Sequence, residues 1–212
     1  MGLIGGVGSG KSSVARRFQA ISRCPVAVID ADQLGHQVLQ LPTVKKQLLQ
    51  RFGSTIFDSQ GDITRSSLGR LVFGEDATVR QARHDLEAIV HPEIRKLAEQ
   101  SIHNLRQERQ VELIVLDAAL LLEAGWKDAC DHVVFVDTPE ADRIARVQAN
   151  RGWSAEELAK REASQWPLPR KRAAANAVID NSKSVDDASK QLEQVIQKME
   201  CGEPSPFWIR EI

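Results

Sequence analysis

The residues with the clearest chemistry form a glycine-rich run near the start of the chain. Residues 5–12 read GGVGSGKS and match the pattern G-x-x-x-x-G-K-[ST]. Glycines let backbone N–H groups approach phosphate oxygens, while the lysine and serine of this pattern bind the β- and γ-phosphates and Mg²⁺. The run therefore predicts a phosphate-binding loop for ATP. We expect the nucleotide contacts to come from Gly6, Val7, Gly8, Ser9, Gly10, Lys11, Ser12 and Ser13.

Two carboxylates follow the next apolar run, residues 26–29. Ligands of open parallel sheets bind at the carboxyl ends of the strands, so Asp30 and Asp32 are expected near the phosphate loop. A kinase needs a carboxylate that accepts the proton of the attacking hydroxyl, and Asp32 is the candidate base. Asp30, together with Ser12, is the candidate Mg²⁺ ligand. The alternative is that one of these aspartates only caps the next helix.

A third apolar run, residues 113–116, ends in Asp117 and resembles a Walker B strand. Glu123 comes soon afterwards and is either structural or a substrate contact. The pattern leaves both open.

Residues 143–172 are strongly basic, with eight Arg or Lys against three Glu. Phosphoryl transfer is helped by cations over the γ-phosphate and by a segment that closes over it. Most of these side chains have the simpler interpretation of a solvated helix face, and Arg146 is the first candidate for a catalytic arginine.

Short apolar runs alternate with helical patterns along the chain, which is typical of an α/β fold around a parallel sheet. The five runs are residues 1–4, 26–29, 113–116, 132–136 and 177–179. Thr138 followed by Pro139 predicts a helix start, as do Ser154 and Ser184. Pro92 is expected to interrupt one helix and start another.

These elements predict a single domain with the P-loop nucleoside-triphosphate hydrolase fold, a five-stranded parallel sheet flanked by helices. The core comprises residues 1–32, 109–140 and 175–200. Residues 33–108 form a helical insertion, residues 141–174 a small lid, and residues 201–212 a loose tail.

Composition limits the function classes further. A net charge of −1 over 212 residues argues against general nucleic-acid binding. The chain has no apolar run long enough to span a membrane and no secretion signal, so we expect no membrane partner. Three widely spaced cysteines form no metal pair, which favours a reducing cytoplasm.

The motifs taken together resemble dephospho-CoA kinase over nearly the whole chain. The resemblance rests on GGVGSGKSS at residues 5–13, IDAD at 29–32, His91 with Pro92, LLLE at 120–123, Gln165, and the run from Lys171 to Asn181. It implies transfer of phosphate from MgATP to the ribose 3′-hydroxyl of dephospho-CoA, which gives CoA, by a monomer or weak homo-oligomer.

The resemblance also implies residue roles. Asp32 matches the family's catalytic aspartate, Arg146 a lid arginine, and Asn181 a residue near the adenine. Residues 33–108 correspond to the family's helical substrate-binding insertion, and Arg65 and His91 match positions near this substrate subdomain. Leu120 and Glu123 belong to a family motif that is expected to contact the substrate. Lys11 and Arg146 would act on the transferred phosphate.

Four positions depart from the family pattern. Ile4 replaces Thr, Ala119 replaces Pro, Asn176 replaces Asp, and Lys183 stands where Gly is common. None of them alters Lys11, Ser12 or Asp32.

Two alternatives stay open on the sequence. One is another small-molecule or nucleoside monophosphate kinase of the same fold, since the scattered arginines of residues 33–108 do not define the acceptor. The other is a P-loop switch or scaffold without catalysis. A GTPase would need Asn-Lys-x-Asp to read guanine, and no asparagine of the chain is followed by that pattern.

Overall fold

The structure is a computed structural model that describes residues 1–74, 76–108 and 111–200. The expected tail, residues 201–212, lies outside the described residues. Two compact units are formed, one by residues 1–30 with the described residues from 101 onward, the other by residues 31–100.

The first unit is built on a sheet whose described strands are all parallel. They are β1 (Gly2–Gly5), β2 (Val26–Asp30), β3 (Leu113–Asp117), β4 (Val133–Asp137) and β5 (Ala177–Asp180), in the spatial order β2-β3-β1-β4-β5. The α/β class, the parallel sheet and the five predicted strands are confirmed. Each strand ends at the polar or glycine residue that follows its apolar run.

Helices of the first unit cover the sheet. They are α1 (Lys11–Ile21), α6 (Glu140–Arg151), α7 (Ala155–Glu162), α8 (Leu168–Ala174) and α9 (Val185–Glu200), with a short 3₁₀ helix at Lys127–Ala129. Phe18 of α1 and Leu192 of α9 pack on Leu3, Val115 and Val134, which project from one face of the sheet. The strand residues that project from the opposite face are buried too, among them Ile4, Ile114 and Phe135. Burial on both faces explains why the strands are short, continuous apolar runs.

The second unit is helical, apart from one isolated antiparallel bridge between Phe57 and Ile63. It contains α2 (Ala31–Val38), α3 (Pro42–Phe52), a 3₁₀ helix (Ser54–Ile56), α4 (Arg65–Val72) and the first part of α5 (Ala77–Glu108). The buried members of its core are Val38, Val44, Leu48, Ile56, Ile63, Leu68 and Val72. The prediction that this part of the chain is helical is confirmed.

Two local predictions are wrong. Pro92 lies inside α5, which continues from Ala77 to Glu108 without a break. The sequence rule fails because packing of α5 through side chains such as Leu86, Ile89 and Ile94 stabilises the helix despite the lost hydrogen bond. Thr138 does not cap α6: Pro139 holds the N-cap position and makes no side-chain cap, while Ser154 does cap α7 as predicted.

No helix among residues 1–74, 76–108 and 111–200 combines the length and apolar character needed to cross a bilayer.

Adjacent leucines of α3 provide a test of the second unit's core. Leu48 is fully buried, whereas Leu49 is 47% exposed. We expect Leu48→Ala to lower the free energy of unfolding by about 2–5 kcal/mol, because it removes methyl groups and leaves a cavity. The same change at Leu49 should cost only about 0.5 kcal/mol. Urea denaturation followed by circular dichroism measures both, and equal losses would contradict this assignment of the core.

Candidate nucleotide site

The phosphate loop joins the central strand of the sheet to α1. β1 pairs with β3 on one side and β4 on the other, and the chain turns from Gly5 into α1 at Lys11. The strands are parallel, so all their carboxyl ends meet at this edge of the sheet, where ligands of such folds bind. The sequence-predicted loop therefore lies at the expected edge.

Two positions of the loop require glycine. Gly8 has φ +76° and Gly10 has φ +82°, backbone conformations that other residues adopt only with strain. A Cβ atom at Gly8 would lie 2.8 Å from Cγ1 of Val147 and 2.9 Å from the carbonyl oxygen of Arg143. At Gly10 it would lie 2.6 Å from Nδ2 of Asn181. The loop is thus enclosed from outside by α6 and by the turn after β5.

The carbonyl oxygen of Ser9 fixes the middle of the loop. It accepts hydrogen bonds from Oγ1 of Thr138 (2.9 Å), Nδ2 of Asn181 (2.8 Å) and Nη1 of Arg146 (3.3 Å). These donors come from the end of β4, the turn after β5 and α6. Asn181 is buried, and its own carbonyl accepts a second bond from Arg146, at 2.8 Å.

Lys11 and Ser12 occupy the first turn of α1, where the helix N-terminus favours anions. The Lys11 side chain is largely buried, and its ammonium donates to the carbonyl oxygen of Gly6 at 3.2 Å. The ammonium is therefore held over the start of the loop, and Ser13 is exposed at the next position of the helix. A loop of this shape with a lysine and a hydroxyl at the helix start suits a polyphosphate.

Asp30 and Asp117 are direct neighbours in the sheet. They are Cα partners at the last positions of β2 and β3, and Asp117 is also the partner of Leu3 in β1. Asp117 is buried and Asp30 is partly buried. Among the described residues there is no group of three or more His, Cys, Asp or Glu suited to hold a metal ion.

The second unit carries three of the predicted site residues. Asp32 is exposed in the first turn of α2, and Arg65 is the exposed first residue of α4. His91 is half-buried in α5, and burial lowers its pKa despite the opposing effect of the Glu87 carboxylate. His91 is therefore neutral at pH 7. As the pH falls below about 6.5, the unfolded chain binds a proton at this histidine before the folded chain does, so the free energy of unfolding decreases.

The basic segment 143–172 is mostly paired within the first unit. Arg143 is buried and forms an ion pair with Glu162, Arg172 pairs with Asp137, and Arg161 pairs with Glu157. Arg151 and Arg161 also lie over the ring of Trp153, and Arg170 over that of Trp166. Arg146 donates to the backbone carbonyls of Ser9 in the loop and Asn181 after β5. Most of these cations therefore have structural partners. The simpler interpretation of a solvated helix face fits the exposed members of the run, but not Arg143 and Lys171, which are buried.

Glu123 belongs to an ion pair that sequence reasoning missed. Its Oε1 lies 3.0 Å from Nζ of Lys171 and accepts a hydrogen bond from the backbone N–H of Trp166 at 2.7 Å. Leu120, one turn earlier, is partly buried. Thr138 and Lys171 were both missed, Thr138 as a helix cap and Lys171 as one member of a basic run. The only sequence signal for Lys171 was its place at the start of the family motif that runs to Asn181.

Comparison with known proteins agrees with this geometry. A family model described as dephospho-CoA kinase matches residues 1–187. A dephospho-CoA kinase of Rhodopirellula baltica is 35% identical over 193 residues, covering 91% of this chain and 87% of the relative. One from Geobacter sulfurreducens is 37% identical over 199 residues, covering 93% and 97%. A crystal structure from Thermus thermophilus aligns with a TM-score of 0.76 and 31% identity, covering 93% of this chain and 96% of that one.

Gly8 provides a test of the loop geometry. Gly8→Ala should weaken binding of a non-hydrolysable ATP analogue at least about tenfold, because the new methyl group meets Val147 and the Arg143 backbone. Gly61→Ala is the matched control: its φ is +79°, but a Cβ there meets nothing within 4 Å. Both variants carry about 1–3 kcal/mol of backbone strain, and only Gly8→Ala should change the affinity measured by calorimetry. Equal affinities would show that crowding at Gly8 is unimportant.

Proposed function

Because the chain belongs to the dephospho-CoA kinase family, we propose that it transfers the γ-phosphoryl group of ATP to the ribose 3′-hydroxyl of dephospho-CoA and so produces CoA. The observation that carries the kinase part is the phosphate loop, braced at Ser9 by three side chains from three elements. The family match supports the identity of the acceptor.

ATP binds through the loop in this proposal. The residues from Gly6 to Ser13 surround the β- and γ-phosphates, and Lys11 neutralises the charge that develops on the transferred group. Asn181 and Arg146 lie against the outside of the loop, bonded to Ser9. They support its shape, and Asn181 is the candidate neighbour of the adenine. Arg146 acts on the phosphate only if it exchanges its carbonyl partners for phosphate oxygens.

Mg²⁺ is the second component of the donor. When bound, it would neutralise the charge of the phosphates. Ser12 offers a hydroxyl at the helix start and Asp30 a carboxylate at the end of β2, which fits an ion held largely by phosphates.

Asp32 is the base in this proposal. It follows the last residue of β2 by two positions, its carboxylate is exposed, and it belongs to the first turn of α2. A carboxylate on a helix start has a fixed backbone but a free side chain, which suits a group that must accept a proton from a bound hydroxyl.

The acceptor carries a pyrophosphate and an adenosine group, which need cationic and hydrogen-bonding partners. Arg65 offers an exposed guanidinium, and His91 a neutral imidazole with one donor and one acceptor. Leu120 and Glu123 complete the proposed acceptor set from the segment after β3. Cys24 and Cys130 are free thiols, which suits a cytoplasmic enzyme.

The acceptor is tested by comparing substrates. ADP release should be rapid with dephospho-CoA and near background with AMP, CMP or shikimate, and CoA should be identified by mass spectrometry. Removal of Mg²⁺ with a chelator should abolish turnover, because the phosphate charge is then not neutralised. Turnover with another acceptor and none with dephospho-CoA would overturn the proposed function.

Asp32→Asn separates an enzyme from a nucleotide-binding protein. The amide keeps the size of the side chain but cannot accept the proton, so kcat should fall about 10²- to 10⁴-fold. The affinity for ATP should stay unchanged, as measured by calorimetry. Asp128→Asn, at another exposed aspartate, is the control for the loss of one charge. Turnover close to that of the unmodified enzyme would remove Asp32 from the role of base.

A further inference from the structure

Lys171 is a lysine without any solvent exposure. Its relative accessibility is 0%, in a residue class that is almost never fully buried unless it is paired. The ammonium lies 2.9 Å from the carbonyl oxygen of Ala119, 2.8 Å from Oε1 of Gln165 and 3.0 Å from Oε1 of Glu123. An ammonium has three N–H donors and no acceptor, so these three oxygens match the charged form.

The three acceptors belong to two separate segments at one edge of the sheet. Ala119 and Glu123 follow the carboxyl end of β3, whereas Gln165 lies in the connection between α7 and α8. Trp166 extends the link, because its backbone N–H donates to the same Glu123 oxygen at 2.7 Å. One buried cation and one carboxylate thus join the segment after β3 to the start of α8.

The start of α8 in turn contacts the phosphate loop. A Cβ atom placed on Gly6 would lie 3.2 Å from Cδ2 of Leu168, the first residue of α8. It would also lie 3.1 Å from Oε1 of Glu162, the last residue of α7. The backbone of Gly6 is therefore packed against the segment that Lys171 holds.

We infer that Lys171 is a positioning residue for phosphoryl transfer. Its buried ammonium fastens the segment after β3 to α8, and α8 supports Gly6, so the shape of the phosphate loop depends on a group that never touches the substrate. The inference rests on the proposed function, because phosphoryl transfer is the reaction that Lys171 would support. The contacts of Lys171 do not depend on that function.

A purely structural lysine would behave differently. Replacing one member of a buried ion pair changes stability, but a folded variant then keeps its kcat if the pair does nothing for the site. A positioning role instead changes the geometry of the reacting groups, and a displacement of about 1 Å can cost about a hundredfold in rate. The two roles are therefore separated by kcat per folded molecule.

The test compares Lys171→Met with Lys190→Met, which makes the same change at an exposed lysine of α9. At a temperature where each variant is folded by circular dichroism, Lys171→Met should lower kcat about tenfold to a hundredfold. The KM for dephospho-CoA should stay within about threefold of the unmodified enzyme, while the KM for ATP is expected to rise because the distorted loop binds the donor, and Lys190→Met should match the unmodified enzyme throughout. An unchanged kcat, or a change confined to KM, would overturn the inference.

A double variant checks that Lys171 and Glu123 act as a unit. The double variant Glu123→Gln with Lys171→Met should have the same kcat as Lys171→Met alone, within about twofold. Additive losses of kcat would show that the two residues act independently. If Lys171→Met does not fold, Gln165→Leu removes one of the three acceptors instead. Its kcat must then fall at an unchanged KM for dephospho-CoA, and an unchanged kcat would overturn the inference.

Amide hydrogen exchange tests the linkage without any substrate. Exchange at the Trp166 N–H should accelerate at least about tenfold in Lys171→Met, while amides of α9 keep their rates. If the unmodified protein does not phosphorylate dephospho-CoA, the proposed function fails, and this measurement alone decides whether Lys171 fastens the two segments. Unaccelerated exchange at Trp166 would overturn that linkage.

Discussion

The phosphate site depends on the hydrogen bonds to the carbonyl oxygen of Ser9. A loop between a strand and a helix leaves backbone carbonyls without regular partners, and buried carbonyls need donors. Thr138, Arg146 and Asn181 supply them from the end of β4, from α6 and from the turn after β5. The loop therefore takes its shape only when β4, β5 and α6 are assembled around it.

Buried charges are concentrated around the same loop. Arg143 pairs with Glu162, and Lys171 with Glu123, although removing such ions from water costs several kcal/mol per ion. The cost is offset because each cation also meets oxygens of fixed geometry. Two departures from the family pattern leave such contacts intact: Ala119 acts through its carbonyl, and the side-chain oxygen of Asn176 accepts from Val133 N–H at 2.8 Å. Ala and Pro at position 119 offer the same backbone carbonyl, and Asn and Asp at position 176 both offer a side-chain oxygen.

The second unit has a different construction. Its core holds helices together through aliphatic side chains, while Asp32 and Arg65 stay exposed at helix starts and His91 is half-buried in α5. A helix start fixes the backbone and leaves the side chain to respond to a substrate. The first unit thus carries a phosphate loop that is already braced, and the second carries exposed polar side chains at the starts of two of its helices.

The sequence by itself determined the strands, the phosphate loop and the family. Each depends on local order: apolar runs buried on both faces, glycines at strained positions, and motifs at fixed spacing. Tertiary structure decided the rest, since the partners lie far apart in the chain. Thr138 turns to Ser9 instead of capping α6, Pro92 is carried through α5 by packing, and two members of the basic run, Arg143 and Lys171, form ion pairs in the interior. A lysine at position 171 has the same local pattern whether water or three oxygens surround it, so only the folded chain reveals its role.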